Sequence, residues 1–221
     1  VFLIKAPVII RSRTKRKSSV QRQHLRVATL EGIPAIVFQT LLAGPFLTGF
    51  LLYLGANAGQ VGFVLAITTF VNIAQVAVAF LIQRLEKRKK LFVTFGIAQR
   101  LIWGATGLVP FVFDRSLWVA AFVALYVAAF FANTVVTVLW TSIVSALVPP
   151  SVRGRYFGMR NMIVNAVGSA TLFTGGIILD AYPGGPGFLI LYGIVWTCIA
   201  TNILVLLKFP DVPFERSAET K

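Results

Sequence analysis

The sequence predicts an all-α integral membrane protein with six transmembrane helices, and three observations carry that prediction. First, 57% of the 221 residues are apolar and only 13% are charged, against roughly 25% charged in a soluble domain. With a mean hydropathy of +0.82, a soluble fold would expose large apolar patches and aggregate. Second, six stretches reach the roughly 20 mainly apolar residues needed to cross a bilayer. Third, most Lys and Arg fall in short clusters between those stretches, the pattern of membrane loops.

The spans follow in order. The first is 33–54, IPAIVFQTLLAGPFLTGFLLYL, and the second is about 60–82. The third runs about 91–113, the fourth is a long stretch at 117–148, the fifth covers about 156–179 and the sixth about 187–207. GANAG, RLEKRKK, DRS, PPSVRGR and AYPGGP connect them, and connections this short make successive helices antiparallel neighbours. Pro34, Pro45 and Pro110 are expected within helices, where a lost backbone hydrogen bond favours a kink. Residues 1–27 read as a basic, partly disordered cytoplasmic lead-in, 28–208 as the bundle, and 209–221 as the start of a cytoplasmic linker or tail.

Orientation follows from Lys/Arg asymmetry. The N-terminal segment carries eight, and RLEKRKK carries Arg84, Lys87, Arg88, Lys89 and Lys90. Arg153, Arg155 and Arg160 flank the fourth connection; Lys208, Arg216 and Lys221 lie in the tail. Six spans place these nineteen on one side and Arg115 alone on the other, which puts both termini in the cytoplasm of a plasma-membrane protein. The basic clusters are topological anchors on one reading and gate residues on another.

The net charge of +14 is explained by these loops, so no nucleic-acid partner is expected. The one cysteine, Cys198, excludes an intrachain disulfide. The one histidine, His24, lies in the basic N-terminal region. An intramembrane serine protease pairs a Ser nucleophile with a His base, and no span holds a histidine. No HExxH cluster or P-loop is present. The expectation is a non-enzyme without metal or cofactor.

ALVPPSVRGRYFGMRNMIVNAVG, residues 146–168, has a proline-bounded turn followed by RGRYFGxRN at the start of a helix. RLEKRKK, GANAGQVGF and the exit KFPDVPFERSAE add weaker signals. Together these stretches resemble the N-terminal six-helix half of a major facilitator superfamily transporter, over about residues 28–221. The family's loop reads roughly GxxxDRxGRR; here Ala79, Gln83 and Glu86 replace its first Gly, its Asp and its second Gly, while Arg84 is kept. Helix five lacks the Gly-Pro of the family's drug–proton antiporters. The resemblance implies two inverted three-helix repeats, half of a twelve-helix fold, with solute held near the midplane between two halves. It further implies a missing C-terminal six-helix half, or a second copy, as partner. Arg84, Glu86, Lys87, Arg153, Arg155 and Arg160 are then candidates for the cytoplasmic gate, with Asn161 and Asn165 bracing it from one face of helix five.

Polar groups in hydrocarbon are costly without partners and are functional candidates by default. Arg100 lies near the middle of span three, either as a solute or gating contact or as a clamp inside the bundle. All seven acids are expected in loops or at helix ends. Arg100 should therefore meet amides, hydroxyls, carbonyls or an anionic ligand, and any proton-coupling group of this half would be Glu31 or Asp180 at a rim. Asn72 and Gln75 share a face of span two with Thr68; Asn133, Thr137 and Trp140 share a face of span four with Thr141. With Gln39 and Arg100 they are the expected cavity residues, interhelical hydrogen bonding being the alternative. The function expected is secondary active transport of a small solute by alternating access, by a fragment lacking its second half. The alternative is a non-transporting membrane receptor or assembly subunit.

Overall fold

Helix formation dominates because long apolar runs without turn residues leave the backbone no better partner than itself. The computed structural model describes residues 8–83 and 88–208. Its described residues are all-α, 92% helical with no strand. The elements are α1 (Val8–Leu41), α2 (Gly44–Tyr53), α3 (Ala58–Gln83), α4 (Arg88–Ala105), α5 (Val109–Val112), α6 (Trp118–Leu147), α7 (Arg153–Ala181) and α8 (Gly185–Leu207). A 3₁₀ turn at Thr106–Leu108 joins α4 to α5.

Five helical segments are long and apolar enough to cross a membrane: Ala58–Phe80, Lys89–Val112, Arg115–Leu147, Pro150–Ala181 and Gly185–Leu207. A sixth is obtained when the bent pair Leu25–Leu41 and Gly44–Tyr53, angled by 41°, is taken as one span. The bend has a local cause. Ala43 is extended and Gly44 has φ +54°, a conformation that glycine adopts without steric cost. Pro45 then opens α2 at its first turn, where its missing N–H is no loss.

Two expectations change here. Of the three prolines, only Pro34 lies inside a helix; Pro45 and Pro110 sit at the starts of α2 and α5. Residues 8–27, expected in part without fixed structure, are helical and continuous with the first span. Arg, Lys, Gln and Leu there are good helix formers, and no glycine or proline interrupts them before Gly32. Helical structure therefore continues through 28–33 instead of beginning at 33.

The principal helix pairs are α1 with α7 and α8, α6 with α3 and α4, and α4 with α8. Asn57 and Gln60 cap the start of α3 reciprocally: each backbone N–H donates to the other's side-chain oxygen at 2.9 Å, a capping box. Close approach requires glycine at Gly107, where a β-carbon would overlap the Tyr192 ring.

The core divides into two clusters. One surrounds Phe46, Phe50, Phe122, Tyr126 and Phe188; the other surrounds Phe92, Leu139, Val144 and Leu206. The first is rich in rings. Phe50 lies 5.6 Å from Phe122, 5.1 Å from Phe188 and 5.0 Å from Tyr192, centroid to centroid, the tilted geometries that ring quadrupoles favour. Only about 10 Å³ remains void among them.

Candidate functional site

Arg100 is placed by α4 against α1 and α8. Its Nη2 donates to Glu31 Oε1 at 2.9 Å, and its Nη1 donates to the Gly96 carbonyl at 2.9 Å and to Gln99 Oε1 at 3.3 Å. Its Nε donates to Asn202 Oδ1. Asn202 in turn donates from Nδ2 to the Glu31 carbonyl at 2.7 Å. The two charged side chains are 3% and 5% exposed. This satisfies most of the guanidinium fork and ties three helices at one point. Phe38 adds a ring 5.8 Å from Arg100 Cζ.

The ion pair overturns the expectation that no embedded carboxylate meets Arg100. Glu31 is expected at a rim, with all seven acids in loops or at helix ends. The helix runs through Gly32 and Pro34, and Glu31 is 4% exposed, so its carboxylate lies buried in the bundle. Asp180, the other rim candidate, is exposed at the end of α7.

Beside this triad a cleft of about 210 Å³ opens between α1, α4, α6 and α7. Five of the expected cavity residues line it: Gln39, Arg100, Asn133, Thr137 and Trp140. Arg160, expected at the gate, lines the same cleft. Its Cζ lies 4.5 Å from the centroid of the Trp140 ring, within cation–π range. Gly32 makes room for it, since a β-carbon there would fall 2.8 Å from Arg160 Nη2. Three buried donors around the cleft have no partner: Gln99 Nε2, Trp140 Nε1 and Arg160 Nε. Ala35, Ile36, Val136 and Val164 supply apolar wall.

The remaining sequence candidates lie elsewhere. Gln75 is half-buried on α3 and does not line the cleft. The Asn72 side chain, and Arg84, Glu86 and Lys87, lie outside the described residues. Thr68 is half-buried and bonds its own helix, donating to the Leu65 carbonyl at 2.7 Å. Arg153 is exposed and donates to the Ser145 carbonyl at 3.1 Å, near the end of α6; a cation there complements the helix C-terminus. Arg155 is exposed. Asn161 and Asn165 are both exposed on α7. An i, i+4 pair marks a stripe on a helix but not the direction in which that stripe faces.

Sequence reasoning missed Glu31, Gln99, Asn202 and Tyr156 as members of this region. Tyr156 donates to the Leu25 carbonyl at 3.3 Å and accepts from Thr29 at 3.3 Å, fastening α7 to α1. Asn202 was the one signal available: a lone amide in the apolar run of α8, in a place where polar groups need partners. No family model matches the chain, and neither a curated protein nor a solved structure matches it.

Proposed function

We propose that this chain is a six-span half of a secondary active transporter of the major facilitator type, moving a small solute by alternating access. One observation carries the reading most directly. Polar side chains scattered over four helices, at positions 39, 100, 133, 137, 140 and 160, converge on one cleft. Convergent polar groups in a mostly apolar concavity are the usual form of a small-molecule site. The first and fourth spans supply most of them, as the family resemblance implies.

The helix pairing supports the repeat organisation of that family. With the spans numbered one to six, the principal pairs are 1·5, 1·6, 4·2, 4·3 and 3·6. Exchanging the first three spans with the last three leaves this set unchanged, as two equivalent three-helix units would. The partner on this reading is a second six-helix half, and the nineteen basic residues put the termini in the cytoplasm.

Proteoliposome flux tests the proposal. The chain, reconstituted with a second six-helix half or as paired copies, is expected to take up a labelled small solute with saturable kinetics, and Thr137→Trp, which fills the cleft, is expected to abolish uptake with the helical content intact. No flux for any solute would favour a receptor or assembly subunit instead, and equal uptake by Thr137→Trp would remove the cleft as the solute path.

A further inference from the structure

We infer that the cleft takes a small monovalent organic anion: a carboxylate with a short aliphatic body. The inference rests on the cleft proposed above as the solute site and names the class of solute. Charge is the first argument. The cleft holds two cations, Arg100 and Arg160, and one carboxylate, Glu31. Glu31 is ion-paired to Arg100. Among the described residues, Arg160 has no carboxylate within ion-pair distance, and its Nε is buried without any hydrogen bond. The ring of Trp140 beneath it offers a face, not an acceptor. One positive charge, on a half-buried side chain, is left without a carboxylate, and an embedded charge is costly without a partner. A single negative charge completes the site.

The donors point to the same chemistry. Gln99 is 1% exposed, and its Oε1 accepts from Arg100. Arg has no acceptor, so this bond fixes the amide orientation and leaves Nε2 as a free donor. With Trp140 Nε1 and Arg160 Nε, three buried donors lack acceptors. A carboxylate has two oxygens with about four lone-pair sites, enough to answer the Arg160 charge and to accept from these donors when they turn into the cleft. A cation or a neutral donor-rich solute would leave them unmet. Ala35, Ile36, Val136 and Val164 provide the apolar wall for a short chain, and about 210 Å³ limits its length.

Binding tests this separately from flux. The full chain in nanodiscs is titrated at fixed ionic strength with acetate, butyrate and hexanoate, with the matched neutral amides, and with inorganic phosphate. Affinity is read from Trp fluorescence and from the shift in Tm. Saturable binding of a short carboxylate is expected, with the matched amide and phosphate weaker. Arg160→Gln is expected to weaken carboxylate binding by about ten- to hundredfold, and Gln99→Leu to weaken it less. Arg115→Gln, an exposed cation outside the cleft, should leave it unchanged. If Arg160→Gln fails to fold, Trp140→Phe, which removes one donor and keeps a ring under the cation, should still weaken binding. Equal affinity for acid and amide, or undiminished binding in Arg160→Gln or Trp140→Phe, overturns the inference. Carboxylate binding without flux would sustain it and remove the transport reading. Flux of a neutral solute without carboxylate binding would do the reverse.

Discussion

The two ends of the bundle solve opposite problems. At the end where α2, α6 and α8 meet, Phe46, Phe50, Phe122, Tyr126, Phe188 and Tyr192 fill the space between helices and leave about 10 Å³ of void. Toward the end that carries the basic segments, α1, α4, α6 and α7 separate around Glu31, Arg100 and Arg160 and leave about 210 Å³. Lipid tails are as apolar as Leu, so helices in a bilayer associate through packing and hydrogen bonds rather than hydrophobic burial. The ring-rich end uses the first and the polar end uses the second. A structure packed tightly at one end and clefted toward the other is one asymmetric state of an alternating-access carrier, which is the reading proposed here.

The largest expected effect breaks the polar end. Glu31→Leu leaves the Arg100 guanidinium buried without its carboxylate and should cost about 3–5 kcal/mol. Measured by denaturant unfolding in detergent, the double variant Glu31→Leu/Arg100→Leu should recover most of that loss, because replacing a whole buried pair is far less costly than breaking it. If the double variant is as unstable as the single, the pair is not the source of the effect. At the ring-rich end, Phe50→Ala opens a cavity among four rings and should cost roughly 2 kcal/mol, mostly through lost contacts rather than transfer. Mixing the two vocabularies should also fail. Gly107→Ala drives a methyl into the Tyr192 ring and disturbs the 2.9 Å hydrogen bond between Tyr192 and Thr106, with an expected loss of about 1–3 kcal/mol by overpacking. The smallest effect belongs to neither end: Asn165→Ala, exposed on α7, should stay within about 0.5 kcal/mol. A larger change at Asn165 would show that the exposed stripe of α7 is covered by a partner.

The contrast also explains what could be read from the sequence. Helices were legible because apolar runs of this length have few alternatives. On α6, Asn133, Thr137 and Trp140 stood out as polar or amphipathic side chains on one face of an apolar run, and the cleft gathers all three. Arg100 was legible for the same reason. Glu31 was not, because it stands outside the apolar run 33–54 read as the first span, while the helix continues through Gly32 and Pro34. Arg160 is a gate candidate through the resemblance of residues 146–168, and its contact with the Trp140 ring in the cleft was not legible, because sequence position does not give the reach of a long side chain. The ring-rich end was opaque: phenylalanines in an apolar run have no signal that separates those packed on one another from those facing lipid, such as Phe70 and Phe173.

The most direct test of the asymmetry is cysteine labelling in proteoliposomes. Cys198→Ala removes the one native thiol, and Thr137→Cys or Leu51→Cys is then introduced singly. Thiol reactivity follows exposure to water. Labelling of Thr137→Cys by a charged, membrane-impermeant maleimide, with Leu51→Cys inert, is the result expected of a wet cleft toward one end and a packed closure at the other. An inert Thr137→Cys beside a reactive Leu51→Cys would contradict it.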